Sequence, residues 1–300
     1  MTDPVTTEGR PKRRLFTFWR VVAVLALALA GYAVFLADAE EDRGPHVALH
    51  EVFGVISVDR KRAALLREIA EDPDAAALVV AIDSPGGTTT GSEQLFDALR
   101  AVAERKPVVA VMGEVAASGG YIAAMAADHL IAYGNTLTGS IGVIAQQPDV
   151  RGLLSNIGVE IRERRSDVYK ARPSPFSETP PEVEAWEAEL IADSYGWFRG
   201  LVGERRGLEG AALDRVADGR VFTGRQALEA GLVDEIGGVE AARVWLAGRG
   251  VDAALPLVPR AVEAEPTSWL IDLLTSRLPA VETLRLDAWE SGTRLYSLMR

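Results

Sequence analysis

The sequence predicts a layered α/β domain behind an N-terminal membrane helix, and three observations carry that reading. An uncharged apolar run over residues 21–37 follows a basic segment. Continuous apolar runs at 75–82 and 108–112 read as strands covered on both faces, the habit of a parallel sheet. Helical patterns alternate with those runs, the order expected of strands joined by right-handed crossovers.

Taken from the N-terminus, residues 1–20 are basic, with Arg10, Lys12, Arg13, Arg14 and Arg20 set against Asp3 and Glu8. At 1.5 Å per residue the 21–37 run makes a helix of about 26 Å, near the lower limit for crossing a bilayer. The basic flank holds the N-terminus in the cytoplasm and sends the remainder across, to the periplasmic or outer side of a bacterial inner membrane. Ala37-Asp38-Ala39 has the small-x-small look of a cleavage site, so a removed secretory signal competes with the preferred uncleaved anchor over 21–38. Residues 39–46 are a charged linker closing on Gly44-Pro45, and the folded domain is expected over 47–240.

Within that domain Val47, Leu49, Val52, Val55, Ile56 and Val58 form a β-rich stretch, and 61–71 carries apolar residues at helical spacing. The run at 75–82 closes on Asp83-Ser84-Pro85-Gly86-Gly87. A helix over 92–104, with Leu95, Leu99 and Val102 on one side, stops at Lys106-Pro107. After the strand at 108–112 a helix is expected over 116–127 and a strand over 129–133. Residues 173–181 read as a loop, 182–205 as one long helix and 217–238 as a turn-and-helix unit. From 241 to 300 the chain reads as an extension. Its amphipathic stretches around Trp269, Leu278 and Trp289 suit a neighbouring subunit or the membrane surface, with packing on its own domain as the alternative.

Composition narrows the chemistry. A chain of 300 residues with 48% hydrophobic side chains can bury a sizeable core. It has no cysteine, which excludes thiol catalysis, disulfides and cysteine-ligated zinc. Three histidines leave little for a metal site, so no metal or cofactor is expected. The net charge of -11, with its basic patch confined to the membrane-proximal end, argues against nucleic acid as a partner.

Hydrolysis of an amide by a side-chain alcohol needs a nucleophile, a base and donors for the oxyanion. Ser118 stands at a helix start between Ala116-Ala117 and Gly119-Gly120, where small neighbours admit a substrate backbone. The amide of Gly119 offers one oxyanion donor, and Gly86-Gly87, at the end of the preceding buried strand, a second. Either motif alone reads as a packing or turn element; together they lie at the C-terminal edges of successive strands, where open α/β sheets bind ligands. His129 is expected at the far end of the sheet and reads as structural. A lysine can replace histidine where burial lowers its pKa, and Lys170, beside Val168, Tyr169 and Ala171, has the best local context, with a solvated lysine at a strand end as the alternative.

These blocks, Asp83 to Gly87, Lys106-Pro107-Val108-Val109, Met112 to Tyr121, AYGNTLTGSIGV at 132–143, Asp218 to Ala227 and Gly231 to Asp234, resemble the signal peptide peptidase A family in order and over about residues 47 to 240. The resemblance implies a fold similar to the Clp protease and crotonase group and a Ser/Lys dyad of Ser118 and Lys170. It also implies that the Ser140 hydroxyl orients the lysine amine and that remnant signal peptides are cleaved in ring-like homo-oligomers; on the residues' own reading the amides of Gly87 and Gly119 hold the oxyanion. A peptide laid against Gly86 to Thr90 would pair as an added strand, with Gly86 and Thr88 as its binding residues. Three rival functions are a membrane peptidase that processes one partner protein, a crotonase-like acyl-CoA enzyme and a catalytically silent assembly factor; export and the Ser118/Lys170 pair count against the second, and the complete dyad against the third.

Overall fold

The computed structural model describes residues 19, 20, 22–24 and 44–262, and the chain divides into two compact units, Met1–Pro45 and His46–Arg300. In the first unit residues 19, 20 and 22–24 are helical. The expected anchor over 21–38 falls almost wholly outside the described residues, among which no helix is long and apolar enough to cross a membrane.

The second unit begins with β1 (His46–Ile56), α1 (Arg60–Glu71), β2 (Ala75–Gly87), α2 (Thr89–Ala103) and β3 (Val108–Ala117). Asp59 starts α1 by accepting a hydrogen bond from the Arg62 amide at 3.0 Å, and Thr88 caps α2 through the Gly91 amide at 3.1 Å. α3 (Gly119–Met125), β4 (His129–Ala132), β5 (Leu137–Gly139), α4 (Arg151–Asn156) and the long α5 (Pro181–Arg206) follow. Then come α6 (Gly210–Val216), β6 (Val221–Thr223), α7 (Gly224–Glu229), β7 (Glu235–Ile236), α8 (Val239–Ala247) and β8 (Leu257–Pro259).

The sheet runs β6-β5-β3-β2-β1-β8, with β4 and β7 branching from β3. Every described pairing is parallel except β5 with β6. The branch arises because β3 serves two neighbours in turn: Val109 to Met112 pair with β4, and Val115 to Ala117 with β5. Side chains alternate between two cores. Leu78, Val80, Ile82, Ala110 and Met112 face the larger one, with α1, α2, α3 and α5, whereas Ala77, Val79, Val109 and Val111 face the smaller one, under α8. Each fully covered leucine, isoleucine or valine contributes about 2 kcal/mol.

Two expectations shift. The helix expected over 116–127 begins only at Gly119, because Ala116 and Ala117 are still strand, paired with Thr138 and Gly139 of β5. The domain also does not end at 240. Ala242 and Leu246 are buried in the smaller core, and β8 adds to the sheet edge beside Val47 to Leu49. Residues 263–300 lie outside the described part.

Candidate active site

The turn from β3 into α3 puts Ser118 in an unusual conformation, φ 52° and ψ −119°. A non-glycine residue at positive φ is uncommon and costs about 1–3 kcal/mol, so the surroundings must impose it. They do so by pairing: the Ser118 amide donates to the Gly139 carbonyl at 2.8 Å, and its carbonyl accepts from the Ile122 amide at 3.0 Å. Ala117 and Gly139 are register partners, so the next residues, Ser118 and Ser140, leave the two strands side by side. Ser140 also has a positive φ, 50°, and its amide donates to the Arg220 carbonyl at 2.9 Å.

Opposite this elbow, β2 ends in a glycine pair that nothing larger could replace. At Gly86, with φ +109°, a Cβ would come within 2.8 Å of the Gly119 nitrogen and 2.9 Å of the Ser118 Cβ. At Gly87 it would overlap the Ile56 carbonyl. The Thr88 amide donates to that carbonyl at 2.9 Å, so by strand alternation the Gly87 amide is turned away from β1, toward the elbow. Gly119 opens α3, so its amide has no partner within the helix.

Ser118, Gly119, Gly87 and Ser140 line one cavity of about 780 Å³. Its apolar wall comes largely from α5, through Ala188, Ile191, Ala192 and Tyr195, a helical stripe that sequence reading places on a long helix without linking it to the site. Ser92, fully buried and donating to the Thr88 carbonyl at 3.0 Å, also borders the cavity and was not singled out from sequence. Asp218 is the one charged residue on the lining; the guanidinium of Arg220, bonded to it at 2.8 and 2.9 Å, holds its carboxyl below the usual range.

The other expected residues stand apart. Lys170 is exposed, in a turn whose Lys170 amide donates to the Asp167 carbonyl at 3.2 Å, and it does not line the cavity. Its neighbour Tyr169 packs edge-on against Trp186 of α5, with ring centroids 5.8 Å apart. Thr88 has its backbone engaged: its amide donates to the Ile56 carbonyl at 2.9 Å and its carbonyl accepts from both the amide and the hydroxyl of Ser92, each at 3.0 Å. His129 pairs with Val109 at the opposite end of β3, stacks on Trp245 with centroids 5.1 Å apart, and lies 3.1 Å from Glu235. It is no base for Ser118. Among the described residues no cluster of three or more histidine, aspartate or glutamate side chains is placed to hold a metal ion.

The geometry thus offers a serine on the cavity wall, two amides beside it and an apolar groove, a set suited to acyl transfer. Comparison with known proteins agrees. The model of peptidase family S49 matches residues 100–251. A protein of the cyanobacterium Synechocystis that is named as a protease is 41% identical over 202 residues, 67% of this chain and 73% of that one. The chloroplastic serine protease SPPA of Arabidopsis thaliana is 34% identical over 217 residues, 70% of this chain but 31% of its own length. Protease 4 of Haemophilus influenzae is 36% identical over 178 residues, 58% of this chain and 28% of that protein.

Proposed function

The chain belongs to peptidase family S49 and is a serine peptidase of the signal peptide peptidase A kind, and on that premise we propose how it works. In this reading it is an endopeptidase anchored by 21–38 in a bacterial inner membrane, with its catalytic domain outside the cytoplasm. It cleaves apolar peptides, remnant signal peptides among them. Ser118 is the nucleophile and Lys170 the general base.

The observation that carries the reading is the strained Ser118, facing Gly87, Gly119 and Ser140 across one cavity. The Lys170 amine takes the proton of Ser118 as the oxygen bonds to the peptide carbonyl, and the amides of Gly87 and Gly119 receive the developing oxyanion, each contributing about 3 kcal/mol. Collapse breaks the C–N bond, the lysine returns the proton to the leaving amine, and a water then releases the acyl group by the same route. The Ser140 hydroxyl orients the amine. Because Lys170 stands on an exposed turn, the reading has it delivered to the groove of a neighbouring subunit in a ring-like homo-oligomer. Exposed Ile144, Leu153 and Ile157, on the segment leading to Lys170, support such a contact. Ile122, Ile141 and Ile191 on the cavity wall support apolar substrates.

The test uses the full chain in detergent and a fluorogenic apolar peptide. Ser118→Ala and Lys170→Ala should each abolish turnover, and an equimolar mixture of the two inactive variants should recover up to about a quarter of it if the base acts between subunits. A Ser118→Ala variant that still cuts sinks the nucleophile; a dead mixture returns Lys170 to its own subunit. Activity should climb toward alkaline pH, and a flat profile from about pH 6 to 10 would contradict a lysine base.

A further inference from the structure

Ser84 is a polar residue where β2 should be apolar, and it is completely buried. A hydroxyl so placed destabilises a core unless it is bonded. Ser84 is bonded twice: its Oγ donates to the Gly54 carbonyl at 2.6 Å and accepts from the Gly86 amide at 3.1 Å.

Both partners sit where the sheet is irregular. The register of β1 on β2 shifts between Phe53 and Val55, around Gly54 with its φ of +72°, and the register of β2 on β3 shifts between Ile82 and Ser84. The ladder is therefore interrupted on both sides of β2 just before the glycine pair, and the Ser84 hydroxyl ties β1 to β2 across the gap. The elbow leans on the same residue. A Cβ added to Gly120 would come within 2.6 Å of the Ser84 carbonyl and 3.3 Å of its Cβ. The Ser84 hydroxyl thus bonds the neighbouring strand and the turn that presents Gly87, while its backbone carbonyl lies against Gly120 in the helix that follows Ser118.

We propose that Ser84 is a positioning residue for peptide hydrolysis: by clamping Gly86 to Gly54 it sets the place of the Gly87 amide relative to Ser118. The proposal rests on the reading of Ser118 as nucleophile and Gly87 as oxyanion donor. An oxyanion donor works only within a few tenths of an ångström of where the charge develops, and misplacement by about 1 Å lowers rates about 100-fold. Gly86 has no side chain to hold its own φ of +109°, so the restraint must come from a neighbour. Ser84 is not on the lining of the cavity, whose apolar wall comes largely from α5, so ground-state binding should be indifferent to the hydroxyl.

The experiment compares the full-length wild type with Ser84→Ala and Ser84→Cys. It measures kcat and KM on an apolar peptide, inhibition by the corresponding peptide aldehyde, which forms a tetrahedral adduct on Ser118, and binding of the cleaved peptide product. Ser84→Ala should lower kcat by about 30- to 100-fold with KM changed less than about threefold, and weaken the aldehyde in proportion while the product binds as before. Ser84→Cys, which keeps the bulk and a weak donor, should fall between the two and supplies the answer if the alanine variant folds poorly. A wild-type kcat in Ser84→Ala, with Ser118→Ala inactive, overturns the proposal alone. So does equal weakening of product and aldehyde, which marks general damage to the groove. Turnover surviving in Ser118→Ala overturns the underlying reading, and the proposal with it.

Discussion

Around Ser118 each residue is held from several sides, whereas residues 142–178, which carry Lys170, place almost nothing in the core. Ala116, Ala117, Gly119 and Gly120 are all buried, and the strained serine is fixed by β5 on one side and α3 on the other. On the second segment α4 buries no residue at all, and Ile144, Leu153, Ile157, Val159 and Ile161 are exposed. Its local order comes from polar contacts, such as Glu163 accepting from Ser174 at 2.8 and 2.9 Å and from Ser177 at 2.8 Å. Strain can be imposed only by a rigid surround, and the sheet supplies one for Ser118 and for the Gly87 and Gly119 amides beside it.

The sharpest way to break this contrast is at Ser118. Ser118→Gly should remove at least about 10⁴-fold of activity while raising stability by about 1 kcal/mol in thermal melts, because glycine accepts the left-handed backbone without strain. Unchanged or lowered stability would mean that the elbow is not strained. Next in size, Gly119→Ala should overlap the Ser92 hydroxyl, lowering kcat by about 100-fold and stability by roughly 1–3 kcal/mol; adding Ser92→Gly should restore stability more than activity. On the other side of the contrast, Ile157→Glu should leave the domain's melting within about 0.5 kcal/mol yet reduce the assembled mass seen by light scattering, and with it the activity. Were the mass unchanged, the exposed apolar segment would not be a contact.

The smallest effect lies at the opposite end of the sheet. Burial pushes the Asp234 carboxyl up, but the Arg206 guanidinium, at 2.6 and 3.2 Å, and the Leu130 amide, at 2.8 Å, outweigh it and hold the group below its ordinary value. A carboxyl depressed in the folded state stabilises fully above its unfolded pKa, and that stabilisation is lost as pH falls through the folded one. Asp234→Asn should therefore be less stable than wild type at neutral pH, by about 1 kcal/mol, and the gap should close below about pH 4 in acid unfolding.

The contrast also explains what could be read from the sequence. β2 and β3 were legible because a strand covered on both faces leaves a continuous apolar run. The end of β3 was not: alanine favours helix by propensity, and only the pairing of Ala116 with Thr138 keeps it extended. Ser118, Gly87 and Gly119 could be inferred as a set from their places at successive strand ends, and they do share one cavity. Ser140 came only from resemblance, since a left-handed residue after a three-residue strand leaves no periodic trace. Ser84 falls in the Asp83 to Gly87 stretch that closes the apolar run, where nothing marks it as buried, and β8 is too short to stand out. Lys170 is the residue whose position local pattern could least convey, because it lies on an exposed turn away from the cavity lining.

Asp72 carries one last consequence. Its carboxylate bonds Arg260 at 2.9 Å and stands 3.9 Å from the ring of His46, while the Arg260 amide donates to the Leu49 carbonyl at 2.7 Å. The first residue of the first strand and the residue after the last are therefore neighbours on one acid. The described part of the second unit is nearly a closed loop of chain, so a circular permutant that joins Arg260 to His46 through a short linker and opens near Gly158 should keep the sheet order and the elbow intact.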